Sequence, residues 1–242
     1  SPPTSAQRAG ASADTSASSS ASVTPRSSPA TGATCSSTSE SSVSSSTFPP
    51  CVSFRRSSKY AIGVSNATSA LHLSLKSIGI KKGDEVIIPN ITFVATANAV
   101  LYVNATPVLV DVNDHDINIS IKSIEESITK KTKAIIPVHF AGKSCDMLAI
   151  QKLAKKYNLQ VIEDCAHALG TKFNKTHVGN FGKTGCFSFY PTKNLTTFEG
   201  GMVITNSKKI ASKIRSMRNH GINKSLKERF STCYPWDFDV SE

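Results

Sequence analysis

From residue 68 onward the apolar positions fall into short blocks whose period switches between helix and strand. Leu71, Leu75 and Ile78 repeat at helical spacing, with Thr68 placed to cap the helix and Gly79 placed to end it. Glu85–Ile88, held between Gly83-Asp84 and Pro89, reads as a strand. Phe93–Leu101 predicts a second helix and Pro107–Asp111 a second strand. Ser120 caps a helix whose face carries Ile121, Ile124 and Ile128, and Ala134–Val138 has the continuous apolar character of a buried strand. Asp146 opens a helix striped by Ile150, Leu153, Ala154 and Tyr157, and the strand Leu159–Ile162 follows. Gly185–Tyr190 alternates as a strand and stops at Pro191, which sets Ser188 on the face opposite Phe187 and Phe189. Such alternation predicts an α/β fold, a mostly parallel sheet sandwiched by helices, with ligands beyond the carboxyl ends of the strands.

The stretch before this pattern is of another kind. Residues 1–58 are dominated by Ser, Ala, Thr and Pro and contain no Lys and no Ile, so they lack the aliphatic groups that offset the entropy of ordering. Residues 1–58 are therefore expected to be disordered, and the abrupt change from Arg to Lys usage also fits an out-of-frame or fused segment.

The formal charge of +11 raises the question of nucleic acid. The basic clusters Lys81-Lys82, Lys130-Lys131-Lys133 and Lys155-Lys156 sit beside predicted turns or on polar helix faces, where a solvated surface accounts for them. Neither a nucleic-acid nor a membrane role is expected, since the longest apolar stretch, Phe93–Val103, is interrupted by Thr96 and Asn98. Six cysteines without a Cys-x-x-Cys pair or zinc-type spacing favour a cytoplasmic location and no metal.

Chemistry concentrates at three places. The strand Leu159–Ile162 runs into Glu163-Asp164, so acidic groups stand where the sheet opens on its ligands; Asp164 either caps the next turn or needs a cationic partner. Lys193 follows the Ser188 strand and precedes Thr196, Gly200 and Gly201; partial desolvation there would free its amine for a Schiff base, though an exposed lysine is the ordinary reading. Asn66-Ala67-Thr68-Ser69 opens a helix with small residues, which suits either a phosphate or simple capping.

Seven segments in order, NATSALHLSL, GDEVIIPNITFVATANAV, PVLVDV, KAIIPVHFAG, VIEDCAHALG, CFSFYPTKNLTTFEGGMV and RNHGI, closely resemble the DegT/StrS-type sugar aminotransferases. The resemblance runs from about Tyr60 to Val240 and implies the large domain of a fold type I pyridoxal-phosphate (PLP) enzyme. It implies that Lys193 carries PLP as a Schiff base and that Asp164 pairs with the pyridinium nitrogen, keeping the ring an electron sink. Thr68, Ser69 and Ser188 would hold the phosphate, Phe93 would lie over the ring, and His167 would stand near the ring oxygen.

The implied reaction takes an amino group, usually from glutamate, to a ketone on a nucleotide-linked sugar, in a homodimer. Its rivals are a sugar dehydratase of the same fold, in which His replaces the Schiff-base Lys, and a non-catalytic fragment. Relatives continue past the Tyr234–Glu242 stretch into an Asn-Tyr-Arg segment and a small domain, so residues 59–242 are expected to be a truncated large domain, poorly soluble and without turnover.

Overall fold

The computed structural model describes residues 58–222. The expectations for residues 1–57 and for the stretch after Ile222 lie outside the described residues. Ser58, counted above with the Ser-rich segment, belongs to the folded body: it is buried and its hydroxyl donates to Asn180 Oδ1.

Nine strands and five α-helices follow in chain order among the described residues. The strands are β1 (Tyr60–Val64), β2 (Glu85–Pro89), β3 (Thr106–Val110), β4 (Thr132–Ile135), β5 (Gln160–Asp164), β6 (Lys172–Phe173), β7 (Thr176–His177), β8 (Thr184–Ser188) and β9 (Gly201–Thr205). The helices are α1 (Ala67–Ile78), α2 (Ala95–Tyr102), α3 (Ile121–Glu126), α4 (Met147–Tyr157) and α5 (Lys208–Met217). Seven strands form one sheet in the order β1-β9-β8-β5-β4-β2-β3, and β6 and β7 make a separate hairpin. All pairings from β8 to β3 are parallel, while β9 runs antiparallel to both β8 and β1.

Alternation along the strands divides the core between the two faces. Val86 and Ile88 of β2 pack with Ala70, Leu71 and Leu75 of α1 and with α2 and α5, whereas Ile87 packs with Ile124 of α3 and Ile150 and Leu153 of α4. The expected sandwich of helices on both faces is therefore present. No helix among the described residues is long and apolar enough to cross a membrane.

Several boundaries differ from expectation, each for a local reason. Asn66, not Thr68, caps α1: it is extended at φ −165° and its side chain accepts from the Ser69 amide. The second helix starts at Ala95, leaving Phe93 in the connecting loop with its carbonyl bound by the Thr96 amide. Strand β4 ends at Ile135 rather than Val138, since Pro137 has no N–H to give the ladder; pairing resumes only as the single bridge of Val138 with Asp164. Strand β5 extends through Asp164, so the acidic pair lies inside it, and β8 stops at Ser188 instead of Tyr190.

Candidate active site at the carboxyl edge of the sheet

The topology collects the chemistry on one edge. Asp164 ends β5, Ser188 ends β8, the first turn of α1 follows the end of β1, and the Phe93 loop follows the end of β2. Because β9 is reversed, its first residue, Gly201, lies on the same edge, paired with Ser188 on one side and Val64 on the other.

Parity within the strands decides which groups face one another. Ile162 packs against the α1 side, so Asp164 faces that side too, and Glu163 points to the other. Cys186 Sγ lies 3.4 Å from Ser74 Oγ of α1, and Ser188, two residues on, shares that face. The first turn of α1 is pressed against β9: a Cβ on Gly201 would fall 2.4 Å from Asn66 C and 2.8 Å from Ala67 N. Only glycine permits this approach, which brings Thr68 and Ser69 beside the strand next to Ser188. With Asn66 as cap, the hydroxyls of Thr68 and Ser69 are not used to close the helix; Ser69 Oγ shares a hydrogen with Ser65 Oγ at 2.9 Å.

Asp164 is 5% exposed. Its Oδ1 accepts from the Ala166 amide at 3.1 Å and its Oδ2 from the Thr96 hydroxyl at 3.0 Å. One oxygen thus caps the turn, as one of the two readings of this residue expects, and the other is held by Thr96. Burial pushes the carboxyl above its ordinary range, opposed by the Ala166 and Thr96 hydrogen bonds and by His139 and His167 nearby. No lysine or arginine makes an ion pair with it among the described residues.

Lys193 is half-buried in the loop after β8, its amide donating to the Tyr190 carbonyl at 2.9 Å. His167, in the turn after β5, has its pKa lowered chiefly by burial and next by the charge of Lys193, while Asp164 pulls it upward. Asp164, His167 and Lys193 therefore share one electrostatic neighbourhood. The His167 ring also meets Phe140 edge-on at 6.0 Å. Phe93 is 72% exposed, so its ring is not core.

Three contributors have roles that the sequence reading does not assign to them. Thr96 figured only as a break in an apolar stretch; a lone hydroxyl there was the available signal. Glu163 is the second: fully buried, it accepts from the amides of Gly179, Phe181 and Gly182 at 2.6, 2.7 and 2.6 Å and lies 3.2 Å from His139 Nε2. His139 Nδ1 in turn accepts from the Cys145 amide at 3.1 Å, so its Nε2 carries the hydrogen and donates to Glu163. The third is Gly201. A cavity of about 820 Å³ borders the first turn of α1 through Ser65 and Ser69 and extends to His72, Glu199 and Arg218, without reaching Asp164 or Lys193.

Comparison with known proteins agrees with the resemblance. Residues 53–234 match the DegT/DnrJ/EryC1/StrS aminotransferase family, and the chain belongs to that family. A UDP-N-acetyl-3-dehydro-alpha-D-glucosamine 3-aminotransferase of Acidithiobacillus ferrooxidans is 52% identical over 163 residues, which is 67% of this chain and 44% of the relative. Among solved structures, the aminotransferase from Psychrobacter cryohalolentis superposes with a TM-score of 0.70 at 38% identity, covering 79% of this chain and 51% of that one. NtdA from Bacillus subtilis with bound cofactor PMP gives a TM-score of 0.67 at 34% identity over 73% of this chain and 41% of that one. The chain spans about half the length of the curated relatives it matches.

Proposed function

We propose that this chain supplies the cofactor-binding part of a PLP-dependent aminotransferase that moves an amino group from glutamate to the ketone of a nucleotide-linked sugar, in amino-sugar or surface-polysaccharide biosynthesis. The observation that carries the reading is the buried Asp164 carboxylate, held by two neutral donors without a Lys or Arg ion-pair partner among the described residues, at the same sheet edge as Lys193. A pyridinium nitrogen would supply the missing cation. Gly201 shapes a cradle at the first turn of α1 that a Cβ would fill, and the helix N-terminus favours an anion.

In this reading Thr68, Ser69 and Ser188 hold the phosphate, Phe93 covers the ring, His167 stands by the ring oxygen, and Lys193 anchors the cofactor and moves the proton. PLP, when bound, supplies the electron sink that makes a proton on the donor's α-carbon removable. With the cofactor bound, Asp164 would keep the ring nitrogen charged, and Lys193, freed when the donor's amine takes its place, would take the proton from the donor's α-carbon and hand it to the cofactor's C4′. The reading includes a homodimer and a cytoplasmic location, with which the buried free thiols Cys145, Cys165 and Cys186 accord.

The test is to add PLP to the purified chain, record its visible absorbance, reduce with borohydride and map the modified peptide. Modification is expected at Lys193, absent in Lys193→Ala. Modification of Lys172, Lys175 or Lys183 instead would overturn the assignment.

A further inference from the structure

Resting on the proposed function, we infer that Thr96 is a positioning residue for Asp164, aiming its carboxylate and holding it ionised toward the cofactor ring, with Thr92 completing the hydrogen-bond chain from the Phe93 loop.

The geometry fixes the direction of that chain. Thr96 is fully buried in the first turn of α2, and its Oγ lies 3.0 Å from Asp164 Oδ2 and 2.8 Å from Thr92 Oγ. A threonine hydroxyl has one hydrogen and a carboxylate only accepts. While Asp164 is ionised, the hydrogen of Thr96 goes to Oδ2, so Thr92 must donate to Thr96. The two hydroxyls then run head to tail from the loop to the carboxylate.

This arrangement does two things to Asp164. A carboxylate offers about four acceptor positions; the Ala166 amide and Thr96 occupy one on each oxygen, which stops the group from rotating and leaves the remaining positions for a cationic donor. A hydrogen bond to the charged form also lowers the cost of that charge in a buried site. Thr92 precedes Phe93 directly, so the same chain ties the loop that carries the aromatic ring to the acid beneath it. Valine at position 96 has the same shape without the hydroxyl; serine keeps the hydroxyl without the methyl.

The experiment is a PLP titration of the purified chain by absorbance, with the melting temperature of each variant as the check on folding. Thr96→Val is expected to weaken PLP binding by about ten- to a hundredfold, the range for one hydrogen bond to a charged group, and Thr96→Ser is expected to stay within about threefold of the parent. Thr96→Ala, which leaves a gap in place of a methyl, serves if the valine variant does not fold and must show the same loss. In an Asp164→Ala background the Thr96 substitutions should change binding no further, because a group that acts through Asp164 has nothing left to act on. Binding by Thr96→Val equal to the parent, failure of Thr96→Ser to restore it, or a full loss that persists in the Asp164→Ala background would each overturn the inference. If the parent chain itself takes up no PLP, the proposed function fails instead, and the two failures are distinct.

Discussion

Glu163 and Asp164 are adjacent buried carboxylates that solve the same problem differently. Glu163 collects three backbone amides and the His139 ring, so it is fully satisfied and knits the 179–182 loop to β5. Asp164 has two neutral donors and a carboxyl raised by burial. The sign of its effect on stability follows from linkage. With a folded-state pKa above the unfolded value, its contribution is fully present below the unfolded pKa of about 3.9 and is lost as pH rises through the folded one. At neutral pH, above the unfolded value, Asp164 is therefore a destabilising group in the cofactor-free chain. Asp164→Asn is expected to raise the melting temperature of the cofactor-free chain, by about 2–4 °C for each kcal/mol gained, with the gain shrinking as pH falls toward 4. The hydroxyl chain tolerates the change, since an amide N–H can donate to Thr96 and Thr96 can then donate to Thr92. The same variant should gain less stability from added PLP than the parent does. Thermal unfolding across pH, with and without PLP, measures both effects; an unchanged or lower melting temperature at neutral pH would show that the charge costs the fold nothing.

At the scale of elements, the site depends on how closely α1 approaches β9. The atoms that a Cβ on Gly201 would strike are backbone atoms of Asn66 and Ala67, which cannot rotate away as a side chain would. Gly201→Ala should therefore push the first turn of α1 off the sheet, at a cost on the order of 1–3 kcal/mol, seen as a lower urea midpoint, with weakened PLP binding at that turn. A midpoint equal to the parent's would mean the turn is loosely held. The sequence made the existence of these elements legible, because Leu71, Leu75 and Ile78, or Ile150, Leu153 and Ala154, repeat with one clear period. It left their registers open. Asn66 and Thr68 are both good caps, and the choice fell to Asn66 by the path of the chain out of β1, a tertiary fact. Lys193, Asp164 and Ser188 were visible as groups at strand ends, but their joint use came from the family resemblance. The bond of Thr96 to Asp164 and the close approach at Gly201 were not legible, because each lies in what stands opposite the residue across the fold.

For the whole molecule, charge and apolar surface oppose each other. The segment from Ile91 to Tyr102 leaves Ile91, Phe93, Val94, Leu101 and Tyr102 exposed, and Phe198 is exposed further along the chain. Exposed apolar side chains concentrated in one segment mark surfaces that associate. The net charge of +11 works against contact between copies at low salt, where repulsion reaches tens of ångströms. Raising salt shortens that reach to a few ångströms and leaves the apolar attraction in place. Self-association of the chain is thus expected to strengthen from about 0.01 M to about 0.5 M salt, the opposite of phosphate-driven binding to nucleic acid, which weakens with salt. Sedimentation velocity at the two salt concentrations measures it, and Leu101→Lys should reduce the associated fraction at high salt by adding a charge to the apolar segment. Association that weakens with salt would assign it to charge pairing between copies, and the homodimer proposed above would then need a surface other than the Ile91–Tyr102 segment.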